Sequence, residues 1–401
     1  MNSWIRRTLQ VGLVSAGFVL VAGATAAQAS VHSIDNDGVL NGTQVVAPVQ
    51  LPVNICGNAV GILGNAVAGC EGGATAKLHS AAGGSGGVVS KDNDGVLNGT
   101  QIVAPIQAPV EISGNAVGAV LGSAVAGSNG GATATKSAPA GGSSMPGVHS
   151  IDNDGVLNGT QIVAPIQVPI DACGNAVGAV LGNAEAGCIG GATAKLHSAP
   201  GGSGGGVVSK GNDGVLNGTQ VVVPVQIPIN VCGNAVGVLG DAVAGCKGGA
   251  TATHGGHKPG TSTDSGDEHQ LPVDTKNAGW PGNPGTPGTP GLPDLPGTGI
   301  LSAGNDGVLN GTQVVAPIQV PIDACGNAVA LLGSAEAGCE GGATAKNTFS
   351  GKVVSWDNDG IGNGTQVVAP VQIPVDVSGN AVGILGSALA GSHGGSTAQL
   401  W

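Results

Sequence analysis

The chain repeats one unit six times. Thr43 to Cys70, TQVVAPVQLPVNICGNAVGILGNAVAGC, returns in near-copies beginning at Thr100, Thr160, Thr219, Thr312 and Thr365. Self-similarity at this level decides the architecture before any single motif does. A chain built this way is expected to present one surface property many times rather than to house one active site.

Within the first copy the side chains alternate strictly. Val45, Ala47, Val49, Leu51, Val53 and Ile55 share one face; Gln44, Val46, Pro48, Gln50, Pro52, Asn54 and Cys56 share the other. A period of two over a dozen residues predicts a half-buried, amphipathic β-strand with an aliphatic face and a mostly polar face. Pro48 and Pro52 have the same parity, so both missing N–H groups fall along one edge, and the strand is expected to pair well on its other edge only. The following run, GNAVGILGNAVAG, is small, apolar and uncharged. A hairpin turning near Leu63 to Asn65 is expected there, with a short helical stripe as the alternative that its glycines oppose. The same run best suits cross-β stacking.

All eight cysteines lie in four of the repeats, as Cys56 and Cys70, Cys173 and Cys188, Cys232 and Cys246, and Cys325 and Cys339. In the second and sixth repeats both positions are serine together: Ser113 with Ser128, Ser378 with Ser392. Residues exchanged as a pair are most simply partners, so four disulfides within repeats are predicted. Ligand clusters of the kind that hold zinc are absent from the sequence. Closing a loop of about 15 residues stabilises by ~3 kcal/mol in the chain-entropy model, which suits small units nearly free of aromatic side chains.

The expected organisation is a signal peptide over 1–29, repeats over 35–76, 92–134, 152–194, 212–252, 305–345 and 357–398, and a polar, then proline-rich, linker over 253–304. Arg6 and Arg7, an apolar core from Val11 to Ala22 and the Ala27-Gln28-Ala29 step before Ser30 give the export signal. Export agrees with disulfides. The linkers between repeats are Gly/Ser-rich and predicted to be flexible coil. With 77 glycines, 9% charged residues and no tyrosine, a row of small modules is favoured over one large core. Two arrangements stay open: units packed side by side in one sheet, or beads on a string. The net charge of −12 argues against a nucleic-acid partner.

No motif predicts catalysis, a cofactor or a metal. Asp35-Asn36-Asp37-Gly38 is read as a turn rather than a calcium loop, because Val39 and Leu40 stand where ligands are needed. The Asn-Gly-Thr triplets from Asn41, Asn98, Asn158, Asn217, Asn310 and Asn363 are formal glycosylation sequons equally explained by a turn. Leu295 to Gly299 matches the LPxTG sorting pattern inside a Pro/Gly/Thr-rich linker, with two repeats after it. His79, His197, His254, His257 and His269 are placed in solvated linkers, the His254/His257 pair being a weak metal candidate at most.

The run from Gln44 to Val60, with its alternating Val/Pro strand, Cys-Gly-Asn step and second cysteine, resembles the chaplin domain. The resemblance implies a secreted, surface-active protein of filamentous actinobacteria that self-assembles with other coat proteins, often as amyloid-like fibrils, at the cell wall or the air–water interface of aerial hyphae and spores. It implies no enzyme activity and no transmembrane anchor. The fold class expected is all-β: tandem small disulfide-closed β-hairpin or β-sheet repeats joined by flexible linkers. The alternative function is a multivalent wall adhesin or polymer-binding protein, whose six copies would gain avidity.

Overall fold

The computed structural model describes residues 17–19, 27–28, 31–80, 88–137, 148–198, 206–256, 300–348 and 353–400. The described residues are all-β, and each repeat forms one coil of a parallel β-solenoid. In the third coil the strands are Val148–Ile151, Asp154–Val156, Gln161–Val163, Ile166–Gln167, Ile170–Cys173, Ala176–Ala179, Asn183–Ile189 and Ala192–Ser198. Each strand pairs in parallel with its counterparts one coil before and one coil after, so eight sheets run the length of the stack. The register is exact by residue type: Gln44, Gln101, Gln161, Gln220, Gln313 and Gln366 lie in one line. The six units are therefore packed into shared sheets. Gly17–Val19 and Ala27–Gln28, inside the predicted leader, extend two sheets at the first coil's edge. The rest of the leader, the 257–299 segment with Leu295 to Gly299, and His257 and His269 lie outside the described residues.

The predicted turn forms at Leu63, but its two arms do not hydrogen-bond to each other. Ala59–Ile62 and Asn65–Glu71 each pair with the next coil, and they face one another through side chains. That makes an arch rather than a hairpin. The inward alanines, among them Ala116, Ala124, Ala126, Ala176 and Ala184, fill the arch. The two walls come so close that a Cβ on Gly118 would lie 1.9 Å from the Asn183 carbonyl oxygen. The second and third repeats carry one residue more at this corner, where Val120 and Leu121, and Val180 and Leu181, take positive φ. Register is restored by Ser123 against Asn65.

Disulfides join Cys56–Cys70, Cys173–Cys188, Cys232–Cys246 and Cys325–Cys339, with Cα atoms 5.7 to 5.9 Å apart. Each closes the coil across its width, and those of the third, fourth and fifth coils stack in one buried cluster. The coils also reach beyond the predicted repeats. Val88–Lys91, read as linker, is a strand whose Val88 and Ser90 are buried. Val88, Val148 and Val207 pack against Val103, Val163 and Val222 from the opposite wall. His254, expected in solvated linker, lies in the strand Ala250–Gly256 and is partly buried. Burial pushes its imidazole down to about 4.

Five columns of stacked amides run through the solenoid. The sequon asparagines form one: the backbone N–H of Asn98 donates to Asn158 Oδ1 and that of Asn158 to Asn217 Oδ1, both at 2.7 Å. Their side-chain amides donate to Asp94 O and Asp154 O, four residues back. Asn93, Asn153, Asn212 and Asn305 make a second, Nδ2 to Oδ1 at 2.8 to 2.9 Å. The central members of both columns are fully buried, so these sequons are structural in the folded chain. Gly159, following Asn158, has φ +65°, and a Cβ there would meet Ser150 Oγ at 2.5 Å and Asn153 Nδ2 at 2.6 Å. The Asn-Gly pair is thus required twice over, for its backbone and for its space.

Removing one rung should cost most in mid-stack, where it leaves buried partners unmet. Asn158→Ala is expected to destabilise by ~2–3 kcal/mol, and Asn363→Ala, at the end of the same column, by ~1 kcal/mol or less. Chemical denaturation followed by circular dichroism checks the ratio. A non-reducing peptide map should recover four bridges, each within its own coil, and a bridge between coils would break the solenoid assignment.

Candidate functional site

The Gln44 to Cys56 segment and its five copies form one wall. The predicted alternation holds, and the structure turns the mostly polar face inward. In the third coil Gln161, Val163, Pro165, Gln167, Pro169, Asp171 and Cys173 are buried, while Ile162, Ala164, Ile166, Val168, Ile170 and Ala172 face out and stay partly exposed. The glutamines make this possible. Gln161 Nε2 lies 2.9 Å from Gln101 Oε1 and 2.8 Å from His149 O; Gln167 Nε2 lies 2.9 Å from Gln107 Oε1 and 3.0 Å from Lys195 O. Each amide joins its own copy along the stack and a backbone carbonyl across the coil.

The prolines do share one edge, as their parity requires, but the segment pairs on both sides. The residues flanking them donate back to the preceding coil: Ala164 to Val103, Ile166 to Pro105, Val168 to Gln107 and Ile170 to Pro109. Pro165 and Pro169 sit in the breaks between Gln161–Val163, Ile166–Gln167 and Ile170–Cys173. There the lost donors toward the next coil interrupt the ladder without ending it.

The outward face is the candidate site. Six columns by six coils carry Val, Ile, Leu or Ala at every position, with no polar or charged residue. At ~3.3 Å per residue and ~4.8 Å per coil the grid measures about 40 by 29 Å, or ~1,100 Å². Soluble monomers seldom expose an apolar patch beyond a few hundred Å². The opposite wall differs: among its outward residues stand Glu185 and Glu336 at the positions of Val125 and Val243. Corner leucines add to the apolar surface. Leu40, Leu97, Leu157, Leu216 and Leu309 have φ +57° to +59°, as do Leu63, Leu239, Leu332 and Leu385 within a few degrees of +55°. A non-glycine residue there carries strain of roughly 1–2 kcal/mol. The sixth coil has Gly362 instead.

Behind this wall runs a column that sequence reasoning missed: Asn54, Glu111, Asp171, Asn230, Asp323 and Asp376. Glu111, Asp171 and Asp323 are completely buried. Ser113 Oγ donates to Glu111 at 2.9 Å and Asn230 Nδ2 to Asp323 at 2.8 Å. Burial raises the Asp171 carboxyl to about 7, helped by Glu111 and opposed by a backbone bond from Gly191. Burial likewise raises Asp323 to about 6, opposed by the Asn230 amide and aided by Asp376. In the last strands, Lys136 stacks between Leu78 and Leu196, and burial lowers its ammonium to about 7.

Such carboxyls keep their protons in the folded chain at pH values where the unfolded chain has lost them, so they stabilise in acid. Their contribution is full below about pH 4 and is lost as pH rises through about 6 to 7. For Asp171 the loss is on the order of 3–4 kcal/mol. Asp171→Asn, which copies Asn54 and Asn230, is expected to leave the melting temperature near pH 4 unchanged and to raise it at pH 8. A wild-type melting temperature that does not fall between these values, or a variant that falls as far, would contradict this.

The ChpA-C family model matches residues 21–74, 131–188, 196–249 and 297–347, together a little over half of the chain. These segments hold all eight cysteines, while most of the second coil and the whole sixth, the two with serine pairs, fall outside them. The chain is 35% identical to Chaplin-B of Streptomyces coelicolor over 104 residues, which are 21% of this chain and 44% of that protein. It is 46% identical to Chaplin-H of the same organism over 54 residues, 13% of this chain and 66% of that one. With Chaplin-C the identity is 34% over 103 residues, 20% of this chain and 40% of the relative. The chain thus spans less than half the length of Chaplin-B and Chaplin-C. No solved structure matches it.

Proposed function

Because this chain belongs to the chaplin family, with the domain repeated along it, we propose that it is a secreted, non-enzymatic coat protein whose aliphatic wall is its working surface. The protein adsorbs by that wall at the boundary between the cell wall of aerial hyphae or spores and air, lowers surface tension and makes the surface hydrophobic. Its coat partners are further copies and other surface proteins, and it needs no transmembrane anchor.

One observation carries this reading: a six-by-six grid of aliphatic side chains with no charge, held outward on a wall whose interior is amide ladders. Moving apolar area out of water yields roughly 25 cal/mol per Å². A grid of ~1,100 Å² therefore favours adsorption by tens of kcal/mol before any cost of ordering. The strained corner leucines support the same reading, since glycine would take that backbone without strain but expose no side chain. In contrast to a strand that folds only on adsorbing, this wall is already built in solution.

The test is a drop or film-balance measurement on the mature chain. Surface tension should fall well below that of water, and the β-sheet spectrum should persist in the film. Val168→Glu, Ile227→Glu and Val320→Glu together place charges on the grid without touching the interior, and should largely abolish the fall. Val125→Lys with Val243→Lys, outward on the opposite wall, should preserve it. Equal surface activity in both variants would defeat the assignment of this wall.

A further inference from the structure

We propose that in bulk water the aliphatic wall is covered by the same wall of a second copy, giving a closed, face-to-face dimer. This rests on that wall being the working surface, and it adds how the protein is kept from water before it reaches a boundary.

The shape of the wall supports one specific occupant. Along each coil the outward residues differ in size, and the second column is almost entirely alanine: Ala47, Ala104, Ala164, Ala316 and Ala369, with Val223 in the fourth coil. The columns on either side are β-branched, Val45 to Val367 and Val49 to Val371, with isoleucine at Ile102, Ile106, Ile162, Ile166 and Ile318. Exact register makes these columns continuous, so a groove floored by methyl groups runs along the stack between two ridges. A ridge on a second copy has the same ~4.8 Å row spacing as the groove it would enter. A partner without that repeat matches it at isolated points only.

The area and the chemistry agree with this occupant. The grid offers ~1,100 Å² on each side, against about 800 Å² per partner in an ordinary stable interface. It places no charge or hydrogen-bonding side chain against its twin, so closure strands no buried polar side chain. The wall's own N–H and C=O groups are directed along the stack, into the neighbouring coils. A twofold pairing of one patch with itself also ends at two copies, whereas stacking of coil ends would continue without limit.

Light scattering coupled to size exclusion, on the mature chain at micromolar concentration, gives the mass. The expected value is twice the chain mass, unchanged over a tenfold dilution. Ile166→Lys with Ile318→Lys should halve it while the circular dichroism spectrum stays that of the solenoid; Val125→Lys with Val243→Lys on the opposite wall should leave it doubled. A second measurement uses Ala164→Cys, where every native cysteine is already bridged: mild oxidation should link two copies, as a cysteine at position 125 on the opposite wall should not. A folded wild-type monomer, mass that grows with concentration, or a dimer insensitive to the grid variants would each overturn the proposal. A monomer that still lowers surface tension would overturn the dimer alone and leave the coat reading standing; a grid-closed dimer without surface activity would do the reverse.

Discussion

The structure depends on one interaction, a side-chain amide that completes its hydrogen bonds only with a copy of itself one coil away. An asparagine or glutamine offers a donor and an acceptor, and burying it unpaired is costly. When the same residue recurs about 4.8 Å along an axis, the acceptor of one meets the donor of the next. Gln161 to Gln101 and Asn153 to Asn212 are such contacts. The cost of a misregistered coil is then paid at five columns at once. That is why units separated by as few as 53 residues and as many as 93 stack in the same register.

This constraint settles where the aliphatic residues go. The glutamine face has somewhere to be buried, because its amides bridge to His149 O and Lys195 O on opposite walls. Most of the remaining inward residues are compact, being valine, proline, alanine and cystine, with Leu78 and Leu196 among the few larger ones. With those filling the coil, little interior is left for the larger aliphatic side chains of the wall, and they line the outside. A small core of alanine arches and valine pairs is too thin to hold a chain this long by apolar burial alone. Backbone ladders, amide columns and disulfides share that task.

Much of this was legible in the residues, and the failures share one cause. The period of two from Gln44 to Cys56, the corner at Leu63 and the exchange of cysteines for serines in pairs all express local geometry, and the strand, the corner and the four bridges are found. Which face points inward is not local. A lone repeat would bury Val45, Val49 and Val53, and only the stacked copy makes burial of Gln44 and Gln50 the better solution. The same holds for Asn158, legible as a turn residue but not as a rung, and for Val88 to Lys91, which look like linker until Val31 and Val148 are set beside them. The acid column from Glu111 to Asp376 forms no motif within one repeat, and Asn54 and Asn230 interrupt it. Read as a position in a stack, it becomes visible: a small polar residue two before each cysteine or serine.

The serine-bearing coils follow from the same logic. A disulfide fixes the width of its own coil, and the ladders pass that geometry to the neighbours. The second coil lies between two stapled ones, and its strands pair on both sides with strands that bear cystine: Ser113 between Cys56 and Cys173, Ser128 between Cys70 and Cys188. Its shape is imposed from above and below. There Ser113 Oγ donates to Glu111, a bond that a bridged sulfur has no hydrogen to make. The sixth coil has one stapled neighbour, with Ser378 beside Cys325 and Ser392 beside Cys339, and most of its side chains are exposed. A coil can therefore do without its bridge wherever a bridged coil supplies the template, and the bridges serve the stack rather than the single repeat.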